Sequence, residues 1–157
     1  MTIYFYSSHE KYFEFSNFSK HGFTLKGKYW PTVEHYFQAQ KFPGHPQEER
    51  IRTAASPKQA KQLGRTRSVP LRADWESVKD DIMREAVLAK FSAHDELKKL
   101  LLDTGKDKLV EDAPKDYYWG SGKDGSGKNK LGKILMETRE ILRQEEKKSD
   151  FSKKSDF

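Results

Sequence analysis

The chain has 157 residues and no cysteine, and 30 Lys and Arg against 24 Asp and Glu give a formal charge of +6. The absence of thiols excludes disulfides, a cysteine nucleophile and zinc-thiolate centres, and no stretch approaches the ~18 apolar residues needed to cross a bilayer. With 34% apolar and 13% aromatic residues the composition is that of one globular domain, and the cationic excess either favours an anionic ligand such as phosphate or nucleic acid or is simply a solvated surface.

The first residues, Met-Thr-Ile-Tyr-Phe-Tyr, lack the basic region and long apolar run of a secretory signal, so a cytoplasmic protein without membrane contact is expected. Ile3-Tyr-Phe-Tyr6 is short, aromatic and β-prone and reads as a strand. Residues 23–30 read as a hairpin about Gly27. Pro31-Thr32 ends the hairpin and starts a helix over 33–42, with Thr32 as N-cap and Pro43-Gly44 as the stop. Short helices follow at 47–55 and 57–63, the second capped by Ser56 with Pro57 in its first turn.

The longest clear helix is expected over 75–91, with Asp74 as cap. Trp75, Val78, Ile82, Ala86 and Ala89 share its inner face, with Met83 and Val87 beside them. A helix at 95–102 closed by Gly105 and a strand at 108–111 come next. Leu131, Ile134, Leu135, Thr138, Ile141 and Leu142 then form the stripe of a final helix reaching about Glu146. The fold class is therefore α+β, a compact, predominantly helical single domain over 1–147 with a few short strands. Residues 148–157 repeat Ser-Asp-Phe, carry no core pattern and are expected to be a flexible tail.

Between the last strand and the last helix lies Trp119-Gly-Ser-Gly-Lys-Asp-Gly-Ser-Gly-Lys-Asn129. Gly122, Gly127 and Lys128 match the spacing of a phosphate-binding P-loop, but Asn129 stands where a Ser or Thr holds magnesium, and the preceding Asp116-Tyr-Tyr-Trp119 is not a buried apolar strand. An NTPase is not expected. Two readings remain: a tight surface loop with Asn129 capping the next helix, or an anion site in which loop amides and Lys123 or Lys128 meet phosphate beside the Trp119 ring.

Glu34, Gln38 and Lys41 fall within about 60° of one another on a helical wheel and form one polar stripe. That stripe is either a solvated face or one wall of a groove in which a carboxylate and an amine divide acid and base work. Upstream, Phe13-Glu-Phe-Ser-Asn-Phe18 sets Ser16 and Asn17, both able to hydrogen-bond a sugar or base, among aromatics that suit a core. Five scattered histidines without H-x-x-x-H spacing offer no metal set.

Residues 14–18, the run Trp30-Pro-Thr-Val-Glu-His-Tyr-Phe-Gln-Ala-Gln-Lys-Phe42, residues 83–91 and the glycine-rich stretch through Gly132 resemble, in order, the signature blocks of the NADAR or YbiA-like family. Val33 is a slight departure, standing where a small residue such as Ser is common. The resemblance implies an N-glycosidase that cleaves the bond between ribose C1 and nitrogen, either in early phosphoribosylamino intermediates of riboflavin synthesis or in ADP-ribose on guanine, free or within nucleic acid. It implies neither a metal or organic cofactor nor an obligate protein partner. Catalytic roles then fall to Glu34, which stabilises the oxocarbenium-like centre and activates water, to Lys41 as imine-forming nucleophile or phosphate holder, and to Asp116 or Asp124 as a second acid/base group. Ser16, Asn17, Gln38, Trp119, Gly120, Gly122, Lys123, Gly127 and Asn129 become substrate contacts. The rival reading is a nucleotide or ADP-ribose binding module without turnover, which needs Trp119 and the anion loop but not Glu34.

Overall fold

The computed structural model describes residues 1–155, and its α+β architecture holds six helices and four short strands among them. Contacts divide the chain into two compact units, residues 14–93 and a discontinuous unit formed by residues 1–13 with 94 onward. No helix among the described residues is long and apolar enough to cross a membrane.

In the discontinuous unit, β1 (Thr2–Phe5) pairs in parallel with β4 (Lys108–Glu111), Thr2 opposite Lys108 and Phe5 opposite Glu111. Alternation along β1 buries Ile3 and Phe5 and exposes Tyr4. Helices α5 (Asp95–Asp103) and α6 (Lys130–Ser155) complete the unit, with Leu97, Leu101, Leu109, Leu131, Ile134, Leu135 and Leu142 buried. Ile141, expected inside, is 45% exposed, while Arg139 on the opposite flank of the stripe is buried. Arg139 earns that place by donating to Thr104 Oγ1 (2.9 Å) and to the Asp107 carbonyl (2.8 Å), so the turn after α5 ends on a guanidinium. Helix α6 also runs past the expected end at Glu146, because Gln144-Glu-Glu-Lys-Lys148 is made of good helix formers and contains neither Gly nor Pro. Of the segment read as a tail, 156 and 157 lie outside the described residues.

The contiguous unit holds the antiparallel hairpin β2 (Phe23–Leu25) and β3 (Lys28–Trp30) and helices α1 (Val33–Ala39), α2 (Pro46–Arg52), α3 (Pro57–Gly64) and α4 (Trp75–Ala93). Lys26 and Gly27, both with positive φ, make the two-residue turn. Thr32 and Ser56 cap as expected, accepting from His35 N–H and Gln59 N–H. Asp74 does not cap α4 with its side chain, which instead pairs with the Arg72 guanidinium at 2.6 Å. Helix α1 stops at Ala39, a turn before the expected 42, and Arg72 supplies the reason. Its backbone N–H and its guanidinium take the Lys41 and Gln40 carbonyls, while the chain closes with tight bonds from Lys41 N–H to Gln38 O and from Phe42 N–H to Ala39 O. Helix α1 packs against α2, α3, α4 and β3 and is buried on every side.

Candidate active site

Burial rules out the solvated-face reading of the α1 stripe. Glu34 is 7% exposed and Gln38 is similarly buried, so the stripe is no solvated face. Glu34 N–H donates to the Asn17 carbonyl (3.2 Å), tying the start of α1 to the loop carrying Ser16 and Asn17. Gln38 Nε2 donates to Glu34 Oε1 at 2.8 Å and fixes that carboxylate, whereas Gln38 Oε1 is buried with no hydrogen-bond partner among the described residues. The amide lies against Gly64, where any Cβ would collide with it. A glycine at the end of α3 therefore makes room for the side chain that orients Glu34.

Lys41 sits just beyond α1, half-buried, its Nζ 3.4 Å from the Gly64 carbonyl and 5.8 Å from the centre of the Trp75 ring. Burial lowers its pKa from 10.5. Glu34 opposes the shift, and the neighbouring cations Arg67, Arg65 and Lys61 add to it. The result is an amine that gives up its proton more readily than a surface lysine, acted on by the Glu34 carboxylate and by a cluster of positive charge. His35 has both ring nitrogens engaged: its Nε2–H donates to the Ala54 carbonyl, its Nδ1 accepts from the Thr32 hydroxyl, and burial lowers its pKa. Tyr36 is likewise structural, donating to Glu85 at 2.9 Å with its pKa raised by burial.

The loop residues Ser16 and Asn17 are buried. Ser16 Oγ accepts from Phe18 N–H, and Asn17 Nδ2 lies 3.6 Å from Met83 Sδ. Beneath them is a group that sequence reasoning missed. Lys90 of α4 is 1% exposed, and its Nζ donates to the Ser16 carbonyl at 2.9 Å. Burial brings its pKa from 10.5 to about 7, with Glu14 pulling the other way. A lysine bonded to residue 16, whose neighbour receives the Glu34 N–H, holds the entrance of α1 in register.

In the discontinuous unit the structure assembles the other expected residues, with most of their polar groups already engaged. Asp116 Oδ1 accepts from Tyr118 N–H (3.0 Å) and Trp119 N–H (2.7 Å), and Asp124 Oδ1 accepts from the hydroxyl and N–H of Ser126, which hold its carboxyl below the usual range. Both are loop fasteners in this conformation. Asn129 does not cap α6 with its side chain. It has positive φ, and its amide spans to β4, accepting from Glu111 N–H and donating to Leu109 O, both at 2.9 Å. The donors at the start of α6 go to backbone carbonyls instead: Asn129 to Gly120, Lys130 to Tyr118 and Leu131 to Trp119. The amides of Gly122, Lys123 and Gly127 are similarly bound to Ala113 O, Tyr117 OH and Ser121 O. These loop N–H groups are therefore engaged within the protein. Trp119, half-buried, stands edge-on to Tyr118 at 4.9 Å.

Residues 4–143 match the NADAR domain model. The chain belongs to the NADAR family. It is 54% identical over 140 residues to N-glycosidase YbiA of Escherichia coli, covering 89% of this chain and 88% of that one, and superimposes on the NMR structure of E. coli YbiA with a TM-score of 0.86, 52% identity and coverage of 92% and 86%. N-glycosidase Npun_R5314 of Nostoc punctiforme is 50% identical over 146 residues, 91% of this chain and 94% of that one. A riboflavin biosynthesis protein of maize, PYRR, is 44% identical over 156 residues, which span 89% of this chain and 25% of the maize protein. At these identities to named N-glycosidases, this NADAR chain is an enzyme of the N-glycoside hydrolase class.

Proposed function

We propose that the chain hydrolyses the ribose C1–nitrogen bond of a phosphorylated riboside, with the chemistry carried by Glu34 and Lys41. The observation that supports this reading is the buried Glu34 carboxylate, fixed by Gln38 and within electrostatic reach of an amine whose charged form burial destabilises. As the bond lengthens, positive charge grows on the sugar ring, and a carboxylate near C1 stabilises it. The Lys41 amine attacks C1 while the leaving nitrogen departs with its electron pair and takes a proton. Transfer of the amine proton to the ring oxygen then opens the sugar to an imine, which water hydrolyses to release the sugar phosphate and restore the amine. Lys61, Arg65 and Arg67, close enough to act on Lys41, suit the phosphate.

An early phosphoribosylamino intermediate of riboflavin synthesis is the substrate we favour, since a relative bears the name of that pathway. ADP-ribose on guanine is the second reading, favoured by the net charge of +6. Presenting both and following release of free base decides between them. Glu34→Gln keeps the fold and the Gln38 contact but removes the charge, and turnover should fall at least about a thousandfold, or ~4 kcal/mol of barrier. Activity within about tenfold of the parent would remove Glu34 from the chemistry, and bound substrate without base release by the parent would favour the binding-module reading.

A further inference from the structure

Lys41 stands just beyond the end of α1, outside its helical ladder, and a distant segment, Arg72-Ala-Asp-Trp75, takes hold of it. Arg72 N–H donates to the Lys41 carbonyl at 3.0 Å and its guanidinium to the Gln40 carbonyl at 3.3 Å. Asp74 grips that guanidinium with both carboxylate oxygens, at 2.6 and 3.1 Å, so the planar fork meets residue 40 in one orientation. Trp75 N–H closes the segment on the Arg72 carbonyl at 3.2 Å, and α4 begins there. The Trp75 ring, 6% exposed, is tilted against Phe37 of α1 with centroids 5.0 Å apart, and the Lys41 amine stands over it, 5.8 Å from its centre. The helical period of α4 accounts for Trp75 as core, but not for an amine within cation–π reach of its face.

We propose that the Arg72–Trp75 segment is the mount of the Lys41 amine: Arg72 and Asp74 fix the backbone that carries it, and the Trp75 ring holds its cationic forms. These are positioning residues, which touch the lysine and act on the substrate through it. The inference rests on the nucleophile reading of Lys41 and deepens it. In that reaction the nitrogen is cationic as the resting ammonium and again as the protonated imine that water hydrolyses, and it is neutral when it attacks. An aromatic face favours both cations over the free amine, so Trp75 restrains the first step and supports the later one. Burial and the cations Arg67, Arg65 and Lys61, from α3 and the segment after it, press toward the neutral amine, while Glu34 of α1 and the Trp75 face at the start of α4 press the other way. The charged groups of the mount itself, Arg72 and Asp74, are paired with each other.

An NMR titration of lysines carbon-labelled at Cε, with Lys41→Arg assigning the Lys41 resonance, tests the ring in the parent, Trp75→Phe and Trp75→Leu. Loss of a partner of the cation lowers the Lys41 pKa, by about 0.5–1 in Trp75→Leu and by less in Trp75→Phe, which keeps a ring of weaker attraction. The rising limb of kcat/KM with pH should move down by the same amount, and the plateau should fall about tenfold in Trp75→Leu and about threefold in Trp75→Phe. Arg72→Lys spares the core and keeps the charge but loses the fork, so kcat should fall about fivefold with KM within about twofold and the Lys41 pKa unchanged. The proposal is overturned if Lys41 of Trp75→Leu titrates within about 0.2 of the parent value, if its pKa rises as water entering a vacated core would make it, or if Arg72→Lys matches the parent in kcat. Should Trp75→Leu fail to fold, a Lys41 pKa in Trp75→Phe equal to that of the parent overturns it equally. Failure of the nucleophile reading would show instead as a parent that borohydride does not trap on Lys41, with the titration order of the Trp75 variants unaffected.

Discussion

Replacing Lys90 by Met separates the cost of burying an ammonium from the structural hold of its side chain. Lys90 is 1% exposed and its pKa falls from 10.5 to about 7, burial outweighing the attraction of Glu14. The folded pKa lies below the unfolded one, so between the two the unfolded chain binds more protons and stability rises with pH. Below about pH 7 the native state bears the full penalty, on the order of 4–5 kcal/mol, and between about pH 7 and pH 9 roughly 2 kcal/mol of it is relieved. Met fills similar space and does not titrate. It forfeits the bond to the Ser16 carbonyl, which retains the Ser19 N–H, and that loss is a nearly constant offset. Urea unfolding of both proteins at matched pH is the assay, because every other titrating group cancels in the difference. The stability of the parent relative to Lys90→Met should climb by about 2 kcal/mol over that interval, and profiles parallel within about 0.5 kcal/mol would refute the desolvated ammonium.

Lys41→Arg keeps the charge but removes the nucleophile, so turnover should be lost while borohydride traps a sugar adduct on Lys41 of the parent; an active Arg variant and an unlabelled Lys41 peptide would assign it to phosphate holding. Asn129→Ala removes two buried hydrogen bonds and puts Ala at positive φ, costing about 3 kcal/mol by denaturant unfolding, of which Asn129→Gly should restore only the backbone share, about 1 kcal/mol. At Gly64, Ala displaces the Gln38 amide while gaining about 1 kcal/mol of helix propensity, so the melting temperature should hardly move while turnover falls about tenfold.

Local chemistry was the legible part of the fold. Caps at Thr32 and Ser56, the turn at Gly27 and the strand at Lys108–Glu111 depend on a few adjacent residues, and each formed where it was read. What failed to show depended on distant partners. Nothing near residue 40 announces that Arg72 will draw away two carbonyls, and nothing near Asn129 says its amide will bridge to a strand 18 residues earlier. The inner face of α4 was centred on Ile82 and Ala86, yet the buried set centres nearer Met83 and Lys90, because Lys90 is held inside by a backbone partner at residue 16 that apolar periodicity does not register. At the site, Glu34, Gln38 and Lys41 were visible as a stripe by periodicity, but their burial was not, since a seven-residue helix wrapped on all sides has no polar face to distinguish.

The parallel pairing of β1 with β4 also fixes an order of events during synthesis. Antiparallel neighbours can zip as soon as a turn is made, but Thr2–Phe5 has no partner until Lys108–Glu111 leaves the ribosome, about a hundred residues and some 5–20 s later at usual elongation rates. Residues 14–93, which form a compact unit from one continuous stretch, are free to fold in that interval. Until then the early strand, with its backbone edge unpaired and Ile3 and Phe5 unburied, is open to off-path association. Nascent-chain stalls placed before and after residue 111 should therefore differ sharply in protease sensitivity at residues 2–5, and little within residues 14–93.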